Sequence, residues 1–146
     1  MDLVTFDFPG PGALTMSFPA PAEPLSENAA IRLHWAARKR VTTPWRDLAI
    51  TMTRMALARY AREREVWPTQ PVEVRMALPF RTARRRDPHN YVGTVVKATV
   101  DGMVRGGLIP DDSPEWATIA EPTISIQKDK TRPLLATVHI TPRSHP

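Results

Sequence analysis

Between Arg84 and Trp116 the chain reads Arg84-Arg85-Arg86-Asp87-Pro88-His89-Asn90, then a helix-like run through Lys97 and Asp101, then Pro110-Asp111-Asp112-Ser113-Pro114. Acidic residues stand at both ends of one helix, and three arginines precede the first acid. A helix packed back on a sheet could bring Asp87 and Asp112 together. Two ionised carboxylates about 4 Å apart repel by roughly 1 kcal/mol in water, and by about 4 kcal/mol at an effective dielectric of about 20. Such a pair needs a cation or a shared proton. Mg2+ or Mn2+ suits carboxylate oxygens and water. A metal so held activates water and stabilises charge on a phosphoryl oxygen. With arginines beside it, the pattern points to metal-dependent cleavage of a nucleic acid.

Each of these residues also has a structural reading. Asp87-Pro88 suits a helix N-cap followed by proline at the first helical position. Asp112-Ser113-Pro114-Glu115 has the spacing of a capping box. Capping and ligation are compatible, because a helix N-terminus has free backbone donors to spare. His89 could ligate Mn2+, contact a phosphate, or face solvent. Asn90, Thr94, Lys97 and Asp101 fall at i, i+4, i+7 and i+11, which places them on one helical face. Val92, Val95, Val96, Val100 and Met103 form the apolar face. Lys97 could stabilise charge on a scissile phosphate, or simply pair with Asp101. Gly93 weakens the helix locally, so its regular part is expected from about Thr94.

Basic residues flank this stretch. Arg81, Arg84, Arg85 and Arg86 lie upstream, Arg38-Lys39-Arg40 lies nearer the N-terminus, and Lys128, Lys130 and Arg132 surround a loop. Arginine grips phosphate bidentately, so these are candidate contacts to a nucleic-acid backbone. A single such cluster is usually a solvated face; three around one acidic site favour nucleic acid. His34-Trp35 beside Arg32 could stack on a base or a splayed strand, or pack as core or lid.

The hydrophobic pattern predicts the secondary structure on which these residues sit. The 146 residues suit one domain, and 20 Lys+Arg against 15 Asp+Glu give a charge of +5, which favours anionic partners. The absence of cysteine excludes disulfides, zinc thiolate sites and thiol nucleophiles. No apolar run reaches membrane-spanning length and no signal peptide is evident, so a cytoplasmic protein is expected. Prolines punctuate the first 24 residues around two short apolar runs. Residues 3–8 read as a short strand or part of an extended arm (residues 1–12), and residues 13–18 alternate as a strand. Thr43 reads as an N-cap with Pro44 at the first position of a helix that runs to about Arg64 and buries Trp45, Leu48, Ala49, Met52, Met55, Ala56 and Tyr60. Residues 72–78 alternate as a strand that Pro79 ends. The second helix spans about residues 91–105 and stops at Gly106-Gly107. Residues 118–128 and 134–141 read as two strands of a hairpin, with Pro122 at a bulge or edge. Residues 142–146 are expected to fray. The order β-α-β-α-β-β predicts an α/β (α+β) domain, a small mixed sheet with helices on one face.

Arg86-Asp87-Pro88-His89-Asn90, followed by Lys97-Ala98-Thr99-Val100-Asp101-Gly102 and then Asp111-Asp112, resembles the RusA family of Holliday junction resolvases. That family's pattern is Arg-Asp-x-Asp-Asn, a helix with Lys-Ala-x-x-Asp, and an Asp-Asp pair after the helix. The segment from Asn28 to Trp35, followed by an arginine-bearing helix, is similar to phage-type members. The resemblance implies a homodimeric, Mg2+-dependent endonuclease, bacterial or phage-encoded, that cuts four-way DNA junctions symmetrically. It implies that Asp87 and Asp112 are catalytic metal ligands, with Asp111 as companion acid, Asn90 as an orienting residue and Lys97 as the active-site lysine. The chain departs from the pattern twice. His89 occupies the place of the family's second acid, so Mn2+ is expected to serve at least as well as Mg2+. The interval from Asn90 to Lys97 is longer than the pattern by about one helical turn of roughly 3.6 residues. Two alternatives accompany this reading: a branched-DNA-binding module of the same fold with weakened catalysis, and a basic nucleic-acid-binding domain that is no nuclease.

Overall fold

The computed structural model describes residues 3–143. Six strands form one mixed sheet: β1 (Thr5–Asp7), β2 (Leu14–Pro19), β3 (Val72–Phe80), β4 (Ala117–Ile119), β5 (Thr123–Ile126) and β6 (Leu135–Pro142). The helices are α1 (Glu27–Ile31), α2 (Trp35–Glu63) and α3 (Lys97–Gly106). The spatial order is β1-β2-β6-β3-β4, with β5 also on β3. The expected α+β architecture is therefore present.

Alternation builds the sheet. Leu14, Met16 and Phe18 of β2, Val72, Val74, Met76 and Leu78 of β3, and Ala136, Val138 and Ile140 of β6 are all buried. Thr15, Ser17, Thr137 and His139 point to the other face, where Ser17 and Thr137 share a hydroxyl contact of 2.9 Å and Thr15 meets the His139 imidazole at 3.2 Å. The helices cover the apolar face with Trp45, Met52, Ala56 and Tyr60 of α2 and Val100 and Met103 of α3.

Several boundaries differ from expectation. β1 is a paired edge strand, with Phe6 opposite Met16; Met1 and Asp2, the start of the expected arm, lie outside the described residues. β3 continues through Pro79 to Phe80. Its pairing with β6 has already ended at Ala77 and Thr137, so the missing N–H of Pro79 interrupts no ladder there. Thr43 caps nothing: α2 begins eight residues earlier at Trp35, with the His34 Nδ1 accepting from the Ala36 N–H at 3.3 Å. The helix formers Ala36, Ala37, Arg38, Lys39 and Arg40 extend the helix upstream, and Pro44 is accommodated inside it, leaving the Arg40 carbonyl without its usual partner. Every buried residue of α2 lies from Trp45 onward. Met52 is buried as expected, but Met55 is 46% exposed.

The expected hairpin is absent. Pro122 splits the first segment into β4 and β5, and both run parallel to β3. β6 lies on the opposite side of β3, antiparallel to it. The physical cause is that the crossover through α3 delivers a parallel strand to one edge of β3, which leaves the other edge for β6. Side chains fix the passage between β5 and β6. The Gln127 amide bonds both the N–H and the carbonyl of Leu135 at 2.8 Å. Arg81 donates to the carbonyls of Gln127, Asp129 and Arg132 at 3.3, 2.7 and 2.6 Å. At the C-terminal end, Pro142 closes β6, and Arg143 donates to the carbonyls of Pro114 and Glu115. Neither frays as expected, and residues 144–146 lie outside the described set.

Candidate functional site

The helix that carries the site changes pitch as it begins. Pro88–Tyr91 forms a 3-10 turn, Val92–Val96 a π-turn, and only from Lys97 is the winding α-helical. Gly107, at φ 96°, closes α3 in the left-handed conformation that glycine permits. A π-turn carries extra chain per turn, so it rotates α3 relative to the 3-10 turn at Pro88. The expected single polar face is therefore broken. Thr94 is buried and its hydroxyl donates to the Leu25 carbonyl. Lys97 and Asp101 stay together, because both lie beyond the π-turn and are one α-helical turn apart.

Lys97 reaches the turn after α3. Its Nζ lies 3.8 Å from the Asp112 Oδ2. Both side chains are well exposed, and such pairs contribute only about 0–1 kcal/mol to stability. Asp101 completes the group. Partial burial pushes its carboxyl above the ordinary 3.8; Lys97 opposes the rise, and the Asp112 carboxylate adds to it by repulsion and hydrogen bonding. Two carboxylates thus share the neighbourhood of one ammonium. Asp101 was legible as a partner for Lys97 on the polar face and as part of the resembled motif, but not as a site acid; its approach to Asp112 depends on where the turn after α3 returns.

The other expected site residues make local backbone contacts. The Asp87 carboxylate accepts from the His89 N–H at 3.1 Å, which is its predicted capping role, although the cap belongs to a 3-10 turn. The Asn90 N–H bonds the Asp87 carbonyl at 3.0 Å. Asp111 accepts the Asp112 N–H at 2.8 Å and so shapes the turn. The capping-box reading of Asp112 to Glu115 is corrected: a single turn, with Trp116 and Ala117 N–H groups on the Ser113 carbonyl at 2.9 Å, leads straight into β4. Among the described residues, no hydrogen bond or ion pair joins Asp87 or His89 to Asp112, and no three His, Cys, Asp or Glu side chains gather at metal-holding distances.

The basic residues divide into two groups. Arg81 is committed to the β5–β6 loop. Arg86 stacks over Phe80, its guanidinium carbon 3.9 Å from the ring centroid, and donates to the Thr82 carbonyl at 2.7 Å. Arg84 and Arg85 are exposed, as are Arg38, Lys39 and Arg40 on the first turns of α2. A cleft of about 290 Å³ separates α2 from α3; Lys39, Thr42, Thr43 and Arg46 line one wall, Ala98 and Asp101 the other. Arg46 was not singled out from sequence, because its relevance comes from the helix crossing. That crossing is close: a Cβ on Gly102 would collide with the Arg46 carbonyl oxygen, and one on Gly106 would lie 2.7 Å from Thr53.

No protein-family model matches the chain, and no curated protein matches it. Among the described residues, no helix is long and apolar enough to cross a membrane.

Proposed function

We propose that this chain is a metal-dependent endonuclease that cuts branched DNA, with Lys97, Asp101 and Asp112 at its centre. The observation that carries the reading is the pairing of Lys97 with Asp112 beside a second carboxylate whose pKa is raised. The donor set fits Mg2+ or Mn2+ in kind: one or two carboxylates with retained waters is how Mg2+ is usually held. Asp101 and Asp112 would hold the ion, which when bound supplies an activated water and charge stabilisation at a phosphoryl oxygen. Lys97 is the cation placed to neutralise a phosphate beside the carboxylates. Lys39 and Arg46, across the cleft, suit the flanking phosphates, and Arg38, Arg40, Arg84 and Arg85 suit the arms of the substrate. The RusA resemblance adds Asp87 and His89 as candidate ligands to the same ion, with Asp111 as companion acid and Asn90 as an orienting residue. A four-way junction has two scissile strands, so symmetric cutting calls for a homodimer with two such sites.

The test is a cleavage assay on a synthetic four-way junction with Mg2+ or Mn2+. The expected result is paired nicks with the wild type and none with Asp112→Asn. Robust cutting by that variant overturns the assignment. Mn2+ is expected to support cutting at least as well as Mg2+; strict dependence on Mg2+ removes His89 from the ligand set. His89 in the place of the resembled family's second acid favours a second reading, a branched-DNA-binding module without catalysis. It predicts junction binding with no cutting in either metal.

A further inference from the structure

Trp35 is an unusual surface residue. It is 63% exposed at the first position of α2, and Ile31, four residues earlier, is 75% exposed. The His34 ring leans against it at 5.5 Å between centroids and a 40° tilt. Lys39 places its Nζ 5.3 Å from the centroid of the Trp35 ring. From Asn28 to Arg46 the chain carries Arg32, Arg38, Lys39, Arg40 and Arg46, and no acidic residue. A large aromatic face is thus held open to solvent among Arg32, Arg38, Lys39 and Arg40, in a segment bounded by Glu27 and by Asp47, which pairs with Arg46 at 3.2 Å.

We propose that Trp35 is a stacking platform for an unpaired nucleobase, and that it guides a single strand of the substrate from the start of α2 into the α2–α3 cleft. Base-on-aromatic stacking is tolerant of sequence and is normally combined with a positive groove that tracks the phosphates. Both parts are present. Lys39 joins them, because the same side chain that touches Trp35 also lines the cleft opposite Asp101. A base on Trp35 therefore brings its backbone past Lys39 toward the carboxylates. The inference rests on the nucleic-acid reading of the site. A cationic helix start with tryptophan and isoleucine also resembles an interfacial membrane anchor. The exposed apolar area here is only two side chains, and the neighbouring cleft is lined by Lys39, Arg46, Thr42 and Asp101, which favours a polyanion strand over a lipid surface.

The test measures binding of a fluorescent oligothymidylate single strand, and of a duplex of equal length, with divalent metal removed by chelation. Wild type, Trp35→Ala and Trp35→Phe are compared. The expected result is a loss of about ten-fold or more in single-strand affinity for Trp35→Ala, substantial recovery in Trp35→Phe, and little change on duplex. Thermal melting of Trp35→Ala should match the wild type, since the ring is not in the core. Unchanged single-strand affinity in Trp35→Ala overturns the proposal, as does an equal loss on single strand and duplex. Binding to phosphatidylserine vesicles that depends on Trp35, with oligonucleotide binding unaffected, also overturns it in favour of a membrane surface. Because no cleavage is read, an inactive nuclease leaves this result standing, and loss of cutting alone bears only on the site.

Discussion

Asp101 gives the site a measurable signature. Burial and the facing Asp112 carboxylate raise its pKa in spite of Lys97. Folding thus favours the protonated form. The associated stability is fully present below the ordinary value of 3.8 and is lost as pH rises through the higher folded value. Asp101→Asn removes that loss. In thermal melts with metal chelated, the variant should exceed the wild type near neutral pH, and the gap should close in acid. A bound cation relieves the same repulsion, so Mg2+ should raise the wild-type melting temperature and leave Asp101→Asn unmoved. A wild type indifferent to Mg2+ would count against the carboxylates as ligands. Among single residues the sequence singled out Lys97 and Asp112 by type and spacing, and their side chains meet at 3.8 Å. It did not mark Asp101 as a site acid, because its approach to Asp112 depends on the turn after α3, and it placed Thr94 on the polar face, because the π-turn that contains it has no signature in hydrophobic periodicity.

Helix α3 owes its position to glycines at the crossing with α2. A Cβ on Gly102 meets the Arg46 backbone oxygen and lies 2.6 Å from the Ala49 Cβ, and neither can swing aside as a flexible side chain would. Gly102→Ala should therefore destabilise the protein by about 1–3 kcal/mol, read from urea denaturation midpoints. Gly10→Ala, with nothing within 4 Å of the added atom, should stay within about 0.5 kcal/mol. Because Gly102 sits next to Asp101, the strained variant should also lose junction cutting faster than it loses fold. Strands were legible wherever one face alternates, as in β2 and β3, since burial of one sheet face demands that alternation. The start of α2 was not, because Pro44 is as good a first residue as an interior one is poor. The β4–β5 segment was misread as half of a hairpin because strand partners are chosen by the crossover through α3, which local turn residues do not encode.

Over the whole molecule, charge decides how a polyanion is met. The net charge of +5 is concentrated at the start of α2, in the loop before α3, and around the β5–β6 loop. Affinity for duplex DNA should fall steeply with salt, by a logarithmic slope of about 0.9 for each phosphate contacted. Replacing Arg38, Lys39 and Arg40 together by alanine should lower that slope by about two to three. Replacing Arg81 should instead loosen the β5–β6 loop and lower stability, with little change in slope; titrations at several salt concentrations separate the two. The fold class was legible from element order and charge from composition, whereas the division of arginines into anchors and free cations needed the tertiary structure. β6 comes after every other strand in the chain yet lies between β2 and β3, with Met16 and Met76 both opposite Val138. During synthesis on the ribosome, β2 and β3 must wait with the edges that pair β6 unfilled until residues 135–142 emerge, and until then those edges are open to chaperones and to wrong strand pairing.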